Sequence, residues 1–338
     1  MPPPKHISYF ERYKMTSLLV AKQYVKHFVG RYEVYLYPLG KFLMAFITLV
    51  FVNGATGYMA RLNSMAVVFV VALMCSFMPP NFTVIMAATF VIAHLYTVSL
   101  ECAVVMLAIF MLMFLLYYRF SPKDTLIILL TPICFALKIP YVIPLLIGLL
   151  ATPLSIMSAA CGIIAYYTVS YITGNMVTLA GMAADDMAVR FRYVIDGIMS
   201  NRAMLVMIAA FAATVIVVYV VRRMPIPHCW IIAMITGSLV NIMALLLGDL
   251  VWDITVSIPG AILGTAVSIA IAKVVEFFVF HIDYNRAESV QFEDDEYYYY
   301  VKAIPKITVA APSRKVKKIH SSRRQAEAAR MASKEENL

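Results

Sequence analysis

Apolar runs long enough to cross a bilayer recur along this chain from about Phe42 to Phe280. Hydrocarbon offers no water to backbone N–H and C=O groups, so a chain that repeats such runs must pair those groups internally, as helices. Composition agrees: 62% of the 338 residues are hydrophobic and 14% charged, against roughly half and a quarter in soluble domains. The expected fold class is all-α, a polytopic integral membrane helical bundle with about eight transmembrane helices. The runs are 42–60, 62–78, 82–100, 102–118, 154–173, 203–221, 229–248 and 258–280.

One further segment, Thr125–Leu150, carries Pro132, Pro140 and Pro144, with Lys138 near its middle. Proline removes a helical hydrogen bond, and a lysine at mid-membrane costs roughly 2.5–3.5 kcal/mol on insertion scales. Such a segment is kept where protein or a water-filled cavity surrounds it, which is where translocation sites are built. Charge sets its expected course. If it crosses, the Lys and Arg residues divide almost evenly between the two sides, against the positive-inside rule. If it dips in and returns, Arg61, Arg190, Arg192 and Arg202 stand on one side and all the other Lys and Arg residues on the other, apart from Lys138 and Lys273 within the membrane. Its limbs of about 13 and 10 residues would rise roughly 20 and 15 Å, too short for a core of about 30 Å. A re-entrant, Pro-broken segment is therefore expected.

The two ends differ from the middle. Residues 1–41 alternate basic and apolar side chains and read as an amphipathic segment lying in the interface. Residues 42–281 form the expected transmembrane domain, and 282–338 a largely flexible cytoplasmic tail. The opening MPPPKHISYFERYK lacks the apolar stretch and cleavage site of a secretory signal. The net charge of +9, concentrated at the ends, points to the bilayer and its anionic headgroups rather than to nucleic acid. In the tail, Tyr297, Tyr298, Tyr299 and Tyr300 have strong β-propensity and are candidates for binding a partner. Arg314, Lys315, Lys317 and Lys318 are candidates for holding lipid headgroups. The expected location is the cell (cytoplasmic) membrane, with both termini cytoplasmic.

Charges and polar groups inside the apolar runs are few. Lys273 and Glu276, three apart, are expected to pair along one helix face, or to snorkel to the interface. Asp249 and Asp253 flank a turn, with Asn241 two turns upstream; with Lys138, Pro140 and Pro144 they are the candidates for a substrate or ion pathway, a capped and solvated turn being the alternative for the aspartates. His94 and Asn53 read as helix-to-helix hydrogen-bonding groups. The small-residue stretch SAACG (158–162), and Gly260 with Gly264, permit close helix packing. Cys75, Cys102, Cys134, Cys161 and Cys229 are scattered singly, so neither disulfides nor a metal site is expected. No Walker A, HExxH or GxSxG pattern occurs; no enzyme activity and no cofactor are expected.

RFSPKDTLIILLTPICFALKIPYVIPLLIGLL and QFEDDEYYYYVKAIPKITV resemble parts of uncharacterised multi-spanning membrane proteins of Gram-positive anaerobic bacteria, sometimes labelled permeases of ABC transporters. The resemblance implies a bacterial cytoplasmic membrane. The functional expectation is a multi-pass, permease-like protein or transporter subunit, with a separate ATPase subunit or another cytoplasmic protein as a partner. The alternative is a non-transporting scaffold that recruits a cytoplasmic partner through its tail. The surroundings of Lys138 discriminate the two: an open cavity favours translocation, burial with satisfied partners a structural role.

Overall fold

The computed structural model describes residues 21–22, 24–181, 187–252, 254, 257–279, 288–293 and 298–303. Two compact units are present: Lys26–Phe280, and Met1–Val25 together with His281–Leu338. In the first, every regular element is helical: α1 (Glu33–Thr56), α2 (Met65–Phe77), α3 (Pro80–Tyr96), α4 (Leu100–Phe120), α5 (Thr125–Ala136), α6 (Val142–Leu150), a 3-10 turn (Pro153–Ser155), α7 (Ile156–Gly174), α8 (Met176–Gly181), α9 (Met187–Met199), α10 (Arg202–Arg222), α11 (Cys229–Trp252) and α12 (Ile258–Val279). The chain is thus a helical protein whose apolar helices suit a membrane.

Among the described residues, six helical stretches are long and apolar enough to cross one: α1, α4, α7, α9 continuing into α10, α11 and α12. The expected runs at 62–78 and 82–100 fold as the shorter α2 and α3, of 13 and 17 residues. Their shortening is local. Gly57, at φ 42°, stops α1, and Ser64 is extended, so α2 starts only at Met65. Pro80 opens α3, where a missing N–H costs nothing, and the extended Ser99, which caps α4 by accepting from Cys102 N–H, keeps α3 from running past Tyr96.

Side-chain contacts fix how the helices run. Ser76 donates to the Pro38 carbonyl at 2.8 Å and Lys41 to the Met78 carbonyl at 3.1 Å, so α2 ends where α1 begins. Ser121 and Ser158 hydroxyls meet at 2.6 Å, Ile128 and Thr131 lie at Gly162, and Phe135 stacks on Tyr166 at 4.9 Å. Hence α5 and α7 run side by side in the same direction. Gly148 lies against Val215 and Val218, and Arg222 donates to the Leu149 carbonyl, so α6 runs alongside α10. Asn241 of α11 lies by Thr214, and Gly248 by Val206, so α10 and α11 are antiparallel. Because α7 starts a few residues after α6 stops, α5 and α6 form a helix–turn–helix hairpin whose two open ends both lie at the Ser121–Ser158 end of the bundle. Its turn points toward the opposite, Glu101 end.

Leu145 and Leu149 of α6 are buried with Val218, Ala233, Met234 and Ala272, while α5 shares larger clusters with α4, α7 and α10. The hairpin is therefore packed between two groups of helices rather than laid on the outside. In the second unit, β1 (Glu288–Glu293) and β2 (Tyr298–Ala303) pair antiparallel, with Glu293 opposite Tyr298, Phe292 opposite Tyr299 and Gln291 opposite Tyr300.

Candidate functional site

The hairpin turn is built by three residues in a row. Ile139 precedes Pro140, and the proline ring pushes its predecessor out of the helical region. The chain stops α5 with a Schellman motif: Ile139 N–H bonds the Cys134 carbonyl at 2.9 Å and Lys138 N–H bonds Phe135 at 3.0 Å. The residue this motif places in the left-handed region is Lys138, at φ 61°, where glycine is the usual occupant. The Pro140 carbonyl takes a bond from Ile143 N–H at 3.1 Å. Pro144 is the third residue of α6, where a helical N–H has no partner to lose. Pro140 and Pro144 are both buried.

Lys138 is exposed, not enclosed. The adjoining Tyr141 packs its ring against Gly264 of α12, where a β-carbon would come within 2.9 Å of it. Gly264 lies six residues inside the start of α12, so the turn sits about 9 Å short of that helix end at 1.5 Å per residue. Gly260, the other half of the GxxxG pair, meets only its own Ser257 among the described residues.

Beside α5 lies a cavity of about 350 Å³ between α1, α3, α4, α5 and α7. Its walls are mostly apolar and none of its lining residues is charged. The hydroxyls of Thr48 and Thr56 in the wall are already spent on the Met44 and Val52 carbonyls, each at 2.7 Å. On the α5 side the wall ends at Ala136, two residues before Lys138.

The other candidates are dispersed. Asn241 is buried on α11; its Oδ1 lies 3.5 Å from the Thr214 hydroxyl, and among the described residues its amide nitrogen and the neighbouring buried Ser238 hydroxyl find no hydrogen-bond partner. Asp249 is half-buried two turns along. Lys273 and Glu276 pair at 2.6 Å on α12, with the lysine about half exposed and the glutamate nearly covered, an arrangement suited to a snorkelling lysine. Asp253, Tyr297, Arg314, Lys315, Lys317 and Lys318 lie outside the described residues, whereas Tyr298, Tyr299 and Tyr300 lie in β2.

His94 and Asn53 form a closed network. His94 Nδ1 accepts from Met59 N–H at 3.0 Å, which leaves Nε2 to donate to Asn53 Oδ1 at 2.9 Å; Asn53 in turn donates to the Leu62 carbonyl at 2.9 Å. The histidine thus ties α3 to the loop after α1.

Two further polar groups of contacts were not expected from the sequence. Glu101, buried at the head of α4, accepts from Ser99 and stands 3.7 Å from Arg190 of α9. The signal was a serine and a glutamate heading an apolar run, but the cation is far along the chain. Tyr117, fully buried, donates to Asn81 at 2.8 Å and meets Thr125 at 3.0 Å. That network fastens the start of α5 to α3 and α4. Among the described residues no three His, Cys, Asp or Glu side chains gather to hold a metal, and the described cysteines are free thiols.

Compared with known protein families, curated proteins and solved structures, the chain matches none of them.

Proposed function

We propose that the chain is a permease-like translocation protein of the cell membrane, with α5 and α6 as a re-entrant hairpin at its centre. The observation that carries this reading is the hairpin itself: two short limbs leaving from one end of the bundle, with an exposed lysine at a turn that stops short of the other end. Broken helices of this kind place backbone ends and charge at membrane depth, where solutes are handled. Charge supports an orientation with the Ser121–Ser158 end cytoplasmic. Lys41, Arg119, Lys123, Arg222 and Arg223 stand at that end, and Arg61, Arg190, Arg192 and Arg202 at the other. Of the latter, Arg190 and Arg192 are already paired, with Glu101 and Asp196. In this orientation Lys138 faces the outer half of the membrane and favours anionic solutes.

The test is accessibility. With the native cysteines replaced, Lys138→Cys should react with a membrane-impermeant thiol reagent, whereas Leu115→Cys, on the exposed apolar flank of α4, should not. In a working flux assay Lys138→Met should stay inserted and lose transport. An unreactive cysteine at 138, or unchanged flux in the methionine variant, rejects the reading.

A scaffold role is the second reading, favoured by the β1–β2 ribbon. A two-stranded sheet is a template for a third strand supplied by a cytoplasmic partner, such as a separate ATPase subunit. Deleting 288–303 should then abolish partner pull-down and leave membrane level unchanged; retained pull-down removes the idea.

A further inference from the structure

We propose that the cavity between α1, α3, α4, α5 and α7 holds one acyl chain of an anionic phospholipid, with Lys138 receiving the headgroup phosphate. Four observations converge on this ligand. The volume, about 350 Å³, falls in the range of ligand pockets. The wall is mostly hydrocarbon, supplied by residues such as Val52, Val91, Phe110 and Ile133; the Thr48, Thr56 and Thr173 hydroxyls are bonded within their own helices, and the remaining lining hydroxyls are those of Tyr166 and Ser170. Water needs two to four polar partners to stay in such a space, so a hydrocarbon chain is the better occupant. The cavity reaches the surface beside Ala55, Ala136 and Ser170, which are small and exposed.

The fourth observation chooses the head. No wall residue is charged, and the α5 wall runs straight into the turn that carries the exposed Lys138. A lysine extends along apolar surface to bring its ammonium toward the interface, and the turn lies only about 9 Å below the α12 end. A chain descending into the cavity from that level places its phosphate where the ammonium can meet it, and the lipid's second chain stays in the bilayer. This assignment holds whether or not the hairpin moves a solute.

Native mass spectrometry of the full-length protein, released from micelles containing dioleoyl-phosphatidylglycerol or dioleoyl-phosphatidylcholine, tests it. The wild type should retain one phosphatidylglycerol in preference to phosphatidylcholine. Lys138→Met should lower phosphatidylglycerol retention roughly tenfold, as expected for one lost charged contact, and Lys138→Arg should restore it. Ala88→Phe with Ala165→Phe, which fills the cavity from two walls, should lose both lipids. A filled variant that keeps its thermal transition and still retains phosphatidylglycerol overturns the chain assignment. An undiminished preference in Lys138→Met overturns the head assignment. If the filled variant does not fold, a diazirine-bearing phosphatidylglycerol decides on the wild type: crosslinks on α5 and α7 wall residues support the site, and crosslinks confined to other helices overturn it.

Discussion

The carbonyl oxygen of Ile128, deprived of its helical donor by Pro132, faces Gly162 across the contact between α5 and α7. A β-carbon at Gly162 would stand 3.2 Å from that oxygen and 2.6 Å from the Thr131 Cβ. The glycine lets the second helix close over the break and cover the freed carbonyl with C–H groups, a weak but water-excluding contact. Gly162→Ala should therefore lower stability by about 1–3 kcal/mol through overpacking. Gly174→Ala, where no described residue lies within 4 Å, is the matched control and should be neutral or slightly stabilising. Thermal unfolding in detergent reads both.

Lys138 carries a backbone cost that is separable from its charge. At φ 61° a side chain costs roughly 1–2 kcal/mol relative to an unstrained conformation, and glycine avoids it. Lys138→Gly should raise the thermal midpoint, whereas Lys138→Met, which keeps a β-carbon, should leave it unchanged. An equal rise in both variants would mean that the charge, and not the backbone, sets the cost.

His94 is held by a donor on one side and an acceptor on the other, so replacing it by an apolar side chain strands both. His94→Leu leaves Met59 N–H and Asn53 Oδ1 without partners, at about 1–3 kcal/mol for each buried group. His94→Gln, which can accept and donate in the same places, should recover part of the loss. Thermal midpoints ordered wild type, Gln, Leu are the expected result.

The Glu101–Arg190 pair fastens α9 to the head of α4. Its side chains are 6% and 14% exposed, between the surface and the buried limits. Arg190→Met should cost about 1–3 kcal/mol, and the double variant Glu101→Met with Arg190→Met less than the sum of the singles. Strict additivity would show that the two do not interact.

The helical class was legible because apolar runs in hydrocarbon have one backbone solution, and the Lys273–Glu276 pair because it spans three residues of one helix. The prolines of 125–150 marked where the chain breaks, but not which residue turns. Lysine ordinarily avoids positive φ, and here the restriction that Pro140 places on Ile139 assigns the turn to it. Nothing in the sequence joins Glu101 to Arg190 or Tyr117 to Asn81, since those contacts depend on which helices become neighbours. Gly260 and Gly264 show the reverse case: spaced alike, but among the described residues only Gly264 meets another element. The cavity is a space between five helices and has no residue pattern of its own. Hydropathy alone overstates the length of α2 and α3, because it does not register that Ser64 is extended before α2 or that Ser99 is extended after α3.

Topology separates a re-entrant hairpin from a full crossing of Thr125–Leu150 without any knowledge of a substrate. Lys123 precedes α5 and Thr152 follows α6, and Thr152 is exposed. If the hairpin returns, both positions face the cytoplasm; if the segment crosses, they face opposite sides. In a background lacking native cysteines, Lys123→Cys and Thr152→Cys should both resist an impermeant thiol reagent added outside intact cells and both react after permeabilisation. Ser200→Cys, exposed beside the opposite end, should react from outside and confirms that the reagent reaches an external site. The positive-inside rule and the Ser121–Ser158 contact argue independently for this outcome. Labelling of Thr152→Cys from outside, with Lys123→Cys still shielded, would show that Thr125–Leu150 spans the membrane, and the hairpin could then no longer be the translocation element.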